Sequence, residues 1–259
     1  MREYEAGILR TERRTPGGYI IEVACGEIAQ NAVPGQFVQA RAGRGTDPFL
    51  RRTFSICGSR PEYGIISLMI DVVGLGTALL CSLKRGEMLN LVGPLGNGFD
   101  QSLGGNGSVV LVAGGFGAAP LLFLAESIRQ SGKRPAVFLM GGKTVTHLSL
   151  IEGLICESVS VLEATDDGSR GYHGLVSFLL EERMGELSPG ALYACGPRPM
   201  MKAVAKIAKK SGVPCQVSLE ERMACGIGVC LGCAVRMADG SMVRSCKEGP
   251  VFDADEVSW

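Results

Sequence analysis

Histidine is almost missing from this chain: two of 259 residues, His147 and His173. Neither has an acid–base partner near it in sequence, so both read as surface or loop residues and histidine catalysis is not expected. Net charge is missing as well, 26 basic residues being balanced by 26 acidic ones. That removes the electrostatic footprint of nucleic-acid binding and of an anionic membrane surface, and leaves small molecules and protein as the expected partners. No run approaches the roughly 18 uninterrupted apolar residues of a membrane span, and the segment Met1-Arg2-Glu3-Tyr4-Glu5 is charged where a signal peptide needs an apolar core. A cytoplasmic address without membrane contact is expected. A disulfide framework is lacking too. Six of the ten cysteines, Cys25, Cys57, Cys81, Cys156, Cys195 and Cys215, are scattered, and most of them read as buried small apolar residues.

The other four cysteines are not scattered. Cys225, Cys230, Cys233 and Cys246 follow the pattern C-x4-C-x2-C-x12-C, the loop-plus-distant-ligand spacing that wraps a [2Fe–2S] cluster. The residues between them, Gly226-Ile227-Gly228-Val229 and Leu231-Gly232, are glycine-rich, so backbone can crowd inorganic sulfides and donate N–H bonds to them. The competing reading is a structural zinc knuckle. Such knuckles usually pair two C-x2-C hooks, and only one is present.

From residue 5 to about 100, short apolar runs such as Tyr19–Val23, Gln36–Ala40, Ile65–Ile70 and Met88–Val92 alternate with Pro16-Gly17-Gly18, Pro34-Gly35 and Gly86. This rhythm predicts an antiparallel barrel, interrupted by one helical patch over Gly76–Leu83. After the polar stretch Ser102–Ser108 the pattern changes to strand Val109–Ala113, glycine turn and helix Ala119–Gln130. Strands Ala136–Met140, Ser158–Glu163 and Ala191–Cys195, with helices Leu175–Arg183 and Pro199–Lys210, continue a doubly wound parallel sheet. The expected architecture is multidomain, β plus α/β: a barrel over 1–101, a sheet domain over 102–213 and a small cysteine module over 214–259.

Arg52-Thr53-Phe54-Ser55 fits a flavin clamp, with an arginine fork for a pyrophosphate, a flat apolar face at Phe54 and a polar reach from Ser55. Read alone, it is equally an ordinary barrel strand with a surface arginine. Val73-Gly74-Leu75-Gly76-Thr77 opens the helical patch and offers glycines and a helix start for a diphosphate. Gly114, Gly115 and Gly117, between strand and helix, mark where a second dinucleotide would lie, or simply tight helix-on-strand packing. Cys195-Gly196-Pro197 ends a strand on the same sheet edge; Cys195 approaches a nicotinamide or only fills space. Asp166-Asp167-Gly168-Ser169 reads as a solvated turn on that edge. Glu220-Glu221-Arg222 reads as a charged turn, or as a carboxylate touching a flavin edge if the module folds back on the barrel.

Together with Gly93-Pro94-Leu95-Gly96-Asn97-Gly98-Phe99, Thr165-Asp166-Asp167-Gly168 and Glu220–Cys230, these motifs resemble, in order and over the whole length, the ferredoxin–NADP reductase superfamily. Within it the similarity is to the electron-transfer subunits of class 1B dihydroorotate dehydrogenases. The resemblance implies FAD between barrel and sheet, NAD approaching from the sheet, and the cluster facing an FMN-containing catalytic subunit that oxidises dihydroorotate in pyrimidine biosynthesis, with two copies of each chain. It carries flavin contacts to Arg52, Thr53, Phe54, Ser55, Met69, Ile70, Asp71, Gly76 and Thr77. Phe54 stands where the superfamily often has tyrosine, and Asp71 where a basic residue is usual. Nicotinamide cofactors exchange electron pairs and a [2Fe–2S] centre takes one electron, so a flavin belongs between them. One cation, Lys143, and no arginine cluster after Met140 favours NAD over NADP. A diaphorase subunit of another anaerobic oxidoreductase, hydrogenase or sulfide-linked, is the alternative; a zinc-stabilised binding module with vestigial nucleotide folds is a third.

Overall fold

The computed structural model describes residues 2–43, 45, 47–132, 134–156 and 158–259. In the first part of the chain, β1 (Glu3–Arg13) and β2 (Gly18–Ala24) precede a short helix, α1 (Gly26–Asn31), and are followed by β3 (Phe37–Ala40), β4 (Arg52–Arg60) and β5 (Ile65–Asp71). Helix α2 (Leu75–Cys81) then leads into β6 (Met88–Leu95). The six strands pair antiparallel in the order β1-β2-β5-β4-β3-β6 and close into a barrel. Alternation supplies its core: Ile21, Val23, Val38, Ala40, Ile56, Ile66, Leu68 and Ile70 point inward. The expected single helical patch needs correction, because α1 is a second one. Its sequence GEIAQN is only six residues long, too short to display a helical period, and it buries just Ile28 and Ala29.

The second part opens with β7 (Val109–Gly114), a 3₁₀ turn at Gly115–Gly117 and α3 (Ala118–Ser131). There follow β8 (Ala136–Gly142), α4 (Val145–Leu148), β9 (Ser160–Thr165), β10 (Tyr172–His173), α5 (Val176–Leu187), β11 (Ala191–Cys195) and α6 (Arg198–Ser211). Strand β7 is buried on both faces: Val109, Leu111 and Ala113 pack with α3, while Val110 and Val112 pack with α5 and α6. Nine of the 14 residues of α3 are buried, as a helix between two layers requires. Phe123 enters the barrel core, whereas Leu121, Leu124 and Ile128 join the sheet core.

The C-terminal segment is woven into this sheet. Strand β12 (Cys215–Ser218) lies parallel to β11, and β15 (Val251–Asp253) lies antiparallel to β12, giving the order β10-β9-β8-β7-β11-β12-β15. Between them β13 (Ala234–Arg236) and β14 (Met242–Arg244) form a small hairpin. Strand order reverses between β7 and β11, and the crevice at such a reversal is where doubly wound sheets bind ligands. Among the described residues no helix is long and apolar enough to cross a membrane.

Candidate cofactor cleft and cysteine loop

Two cavities open side by side between barrel and sheet. The first, about 420 Å³, is lined by Arg52, Thr53, Phe54, Ser55, Met69, Asp71 and Thr77 from the barrel and by Phe116, Glu220 and Met223 among others from the opposite side. The second, about 570 Å³, lies over the sheet reversal and takes in Gly114, Gly115, Gly117, Gly196 and Pro197, with Lys143, His147 and Asp166 on its wall. Asp71, Phe116 and Glu220 border both, so the two form one continuous cleft.

Of the residues singled out in the sequence, Ile70, Gly76 and Cys195 do not line these cavities, nor do Gly74, Leu75, Asp167, Gly168 and Ser169. Ile70 is in the barrel core. A Cβ on Gly76 would lie 2.5 Å from Arg52 Nε, so this glycine gives the guanidinium room to lie against α2. Arg52 also donates to the Leu50 carbonyl. Cys195 is set in the core against α3, and burial pushes its thiol upward. Its carbonyl instead meets the glycine turn: a Cβ on Gly117 would stand 2.3 Å from Cys195 O, leaving no room for any other residue. Phe54 is only 9% exposed and packs mainly into the barrel core. Thr77 Oγ1 accepts from the amides of Val73 and Gly74, at 3.0 and 3.2 Å, so two donors of the α2 turn are already engaged.

Some cleft residues, His147 and Phe37 among them, escaped the sequence reading, whereas Glu220 and Asp71 were singled out there and do line the cleft. His147, read as a mere surface residue, sits on α4 at the cavity wall with Nδ1 3.2 Å from Thr144 Oγ1. Phe37, Phe116 and Met223 reach the cleft only through tertiary packing. Glu220, two residues past β12, borders the solvent of both cavities while protein crowds its other sides, and that crowding raises its carboxyl above the usual range. Burial likewise raises Asp71, against the pull of the Val72 amide and of nearby His147.

The four cysteines fall into two pairs. Ile227 and Cys230 direct their amides at Cys225 Sγ, each at 3.5 Å, and the Gly232 amide lies 3.4 Å from Cys230 Sγ. Partial burial works to raise the Cys225 thiol, but these amides and the Cys230 thiol outweigh it and bring it down to about 6. Cys233 and Cys246 are buried in contact with Phe37 and Leu95, with the Cys246 amide 3.5 Å from Cys233 Sγ. Burial, then the neighbouring Cys233 thiol, pushes Cys246 up to about 12. Among the described residues no three His, Cys, Asp or Glu side chains are disposed to hold a single metal ion. Two thiol pairs surrounded by amide donors suit a two-iron cluster with acceptor sulfides better than one zinc ion. The loop is held from outside: Arg244 donates to the Gly228 carbonyl at 3.0 Å and pairs with Glu248, and Asn97 donates to the Glu248 carbonyl at 2.8 Å.

The comparisons with known proteins agree with this layout. Residues 220–258 match the iron–sulfur cluster binding domain of dihydroorotate dehydrogenase B, and residues 111–206 match the oxidoreductase NAD-binding domain. The dihydroorotate dehydrogenase B (NAD(+)) electron transfer subunit of Desulforamulus reducens is 40% identical over 99% of this chain and 98% of its own. That of Caldanaerobacter subterraneus is 41% identical over 86% of each. Among solved structures, the chain resembles an NADH-dependent reduced ferredoxin-NADP oxidoreductase described in connection with flavin-based electron bifurcation. The TM-score is 0.85 at 29% identity, over 99% of this chain and 90% of that one. A Neisseria gonorrhoeae ferredoxin NADP+ reductase with bound FAD and NADP shares the fold, with a TM-score of 0.68 at 18% identity over 82% of this chain and 92% of that one.

Proposed function

The chain belongs to the family of dihydroorotate dehydrogenase B electron transfer subunits, and from that premise we propose how its cleft and cysteine loop divide the work. The protein carries electrons between a catalytic partner subunit and NAD in pyrimidine biosynthesis, using FAD and a [2Fe–2S] cluster. When bound, the flavin exchanges electrons singly with the cluster and in pairs with the nicotinamide.

The residues do the holding. Arg52 would pair its guanidinium with the flavin diphosphate and Thr53 and Ser55 would meet the ring's polar edge; Phe54, Met69, Asp71 and Thr77 complete that wall, with Ile70 and Gly76 supporting it from behind. Gly114, Gly115, Gly117, Gly196 and Pro197 seat the NAD, with Cys195 behind them fixing the turn. The cluster is held by Cys225, Cys230, Cys233 and Cys246, whose surrounding amides tune it. One observation carries this reading: Phe37 both lines the flavin cavity and belongs to the apolar cluster that buries Cys233 and Cys246. That side chain would lie between the two cofactor sites.

Ile227, Val229 and Leu231 surround the outermost cysteine and are exposed, Val229 by 74% and Leu231 by 63%. This apolar rim receives the partner, which we take to be an FMN-containing subunit that oxidises dihydroorotate, in a cytoplasmic assembly of two copies of each chain. The likeness to the NADH-dependent ferredoxin-NADP oxidoreductase favours a second reading, a diaphorase subunit of another complex. Anaerobic purification with iron, sulfide and flavin assays, followed by electron transfer to NAD and to NADP with the dihydroorotate-oxidising partner present or absent, tests both. Partner-dependent NADH formation supports the first; protein free of sulfide and flavin overturns both.

A further inference from the structure

Strand β3 is buried along its whole length, unlike the alternating strands around it. Val38 and Ala40 face the barrel core, so Phe37 and Gln39 face outward, and the cysteine segment covers them. At Phe37 this outer face is apolar. At Gln39 it is a carboxamide with 1% exposure. Its Nε2 is 3.1 Å from Thr53 Oγ1, the residue opposite it on β4. Its Oε1 is buried without a hydrogen-bond partner among the described residues. Because a hydroxyl both donates and accepts, turning the amide over would keep the Thr53 contact and leave the nitrogen end unpaired instead. The same carboxamide, through Cδ and Nε2, also presses on the cysteine loop. A Cβ on Gly226 would stand 2.7 Å from Gln39 Cδ, and Gly226 itself has φ +68°. An apolar residue of equal size would fill this space without leaving a buried acceptor unsatisfied.

We propose that Gln39 is a positioning residue that couples the flavin wall to the cysteine loop, its carboxamide bonded to Thr53 and at the same time packed against Gly226. The loop position, and with it the polar surroundings of the cluster, follows the flavin site through this amide. The inference rests on the cofactor placement given above.

The test uses the full-length protein purified anaerobically with both cofactors, as wild type, Thr53→Val, Gln39→Met and the double variant. Redox titration followed by electron paramagnetic resonance reads the cluster directly. Thr53→Val, a change in the cavity wall, shifts the cluster's one-electron reduction equilibrium about tenfold, about 59 mV, and alters its resonance line shape. In the Gln39→Met background the same change has no effect on the cluster. Equal shifts in both backgrounds, or a cluster indifferent to Thr53→Val, overturn the inference; should Gln39→Met fail to fold, that second outcome still decides. Wild-type protein lacking a cluster would instead sink the cofactor placement itself.

Discussion

On the barrel side of the cleft the surface is made of side chains, Arg52, Thr53, Ser55 and Thr77 among them, whereas the sheet side includes six glycines, Gly114, Gly115, Gly117, Gly141, Gly142 and Gly196. The difference follows from geometry. Barrel strands can point alternate side chains outward, so functional groups cost nothing in packing. At the sheet reversal the ends of β7 and β11 touch, and a Cβ on Gly117 or Gly196 would collide with main chain, while one on Gly114, Gly141 or Gly142 would collide with a neighbouring side chain. One wall is therefore damaged by subtraction and the other by addition.

The sharpest test of that contrast is Gly117→Ala, which places a methyl 2.3 Å from a main-chain oxygen that cannot move away. A loss of more than about 3 kcal/mol is expected in urea unfolding, with NADH binding abolished in whatever folds. Arg52→Ala comes next. Removing one charged hydrogen-bonding group should weaken flavin retention about tenfold to hundredfold, measured by flavin released on dilution, with the melting temperature of flavin-stripped protein unchanged. Lys143 is the side chain with which the sheet wall offers a cation, and it is exposed. Lys143→Ala should raise the KM for NADH only about threefold, as for other exposed charge contacts; a larger effect than that of Arg52→Ala on its own cofactor would break the comparison.

The smallest effect concerns Glu220, where the walls meet. Its carboxyl is raised above the ordinary 4.5 by burial. Folding therefore favours the protonated form, so its stabilising contribution is complete below the unfolded value and is lost as pH rises through the folded one. Glu220→Gln should raise the melting temperature by about 1–2 °C at pH 8 and by nothing at pH 4.

What the chain disclosed in advance depended on how local each signal was. Strand β11 spans the expected Ala191–Cys195, and α3 extends the expected helix by one residue at each end. Both are dense apolar runs bounded by glycine or proline. Strand β1 was hidden, since its sequence EYEAGILRTER carries charges along most of its length and buries only Ala6 and Ile8. Strands β12 and β15 were hidden for another reason, because each is short and they pair across more than thirty residues of intervening chain. The site divides in the same way. Cysteine spacing and the Arg52–Ser55 motif are written in consecutive residues, while Phe37, Phe116, His147 and Met223 enter the cleft only when distant elements meet.

The cysteine loop is anchored at both ends, by β12 before it and β15 after it, in the same sheet that carries the glycine turn. Such an arrangement leaves no tether on which the redox-active tip could swing between donor and acceptor. Electron transfer then relies on a cysteine loop whose two flanking strands belong to the sheet itself. Cutting the gene ahead of β12 would not release a portable ferredoxin; it would strip two strands from the scaffold that the remaining enzyme needs.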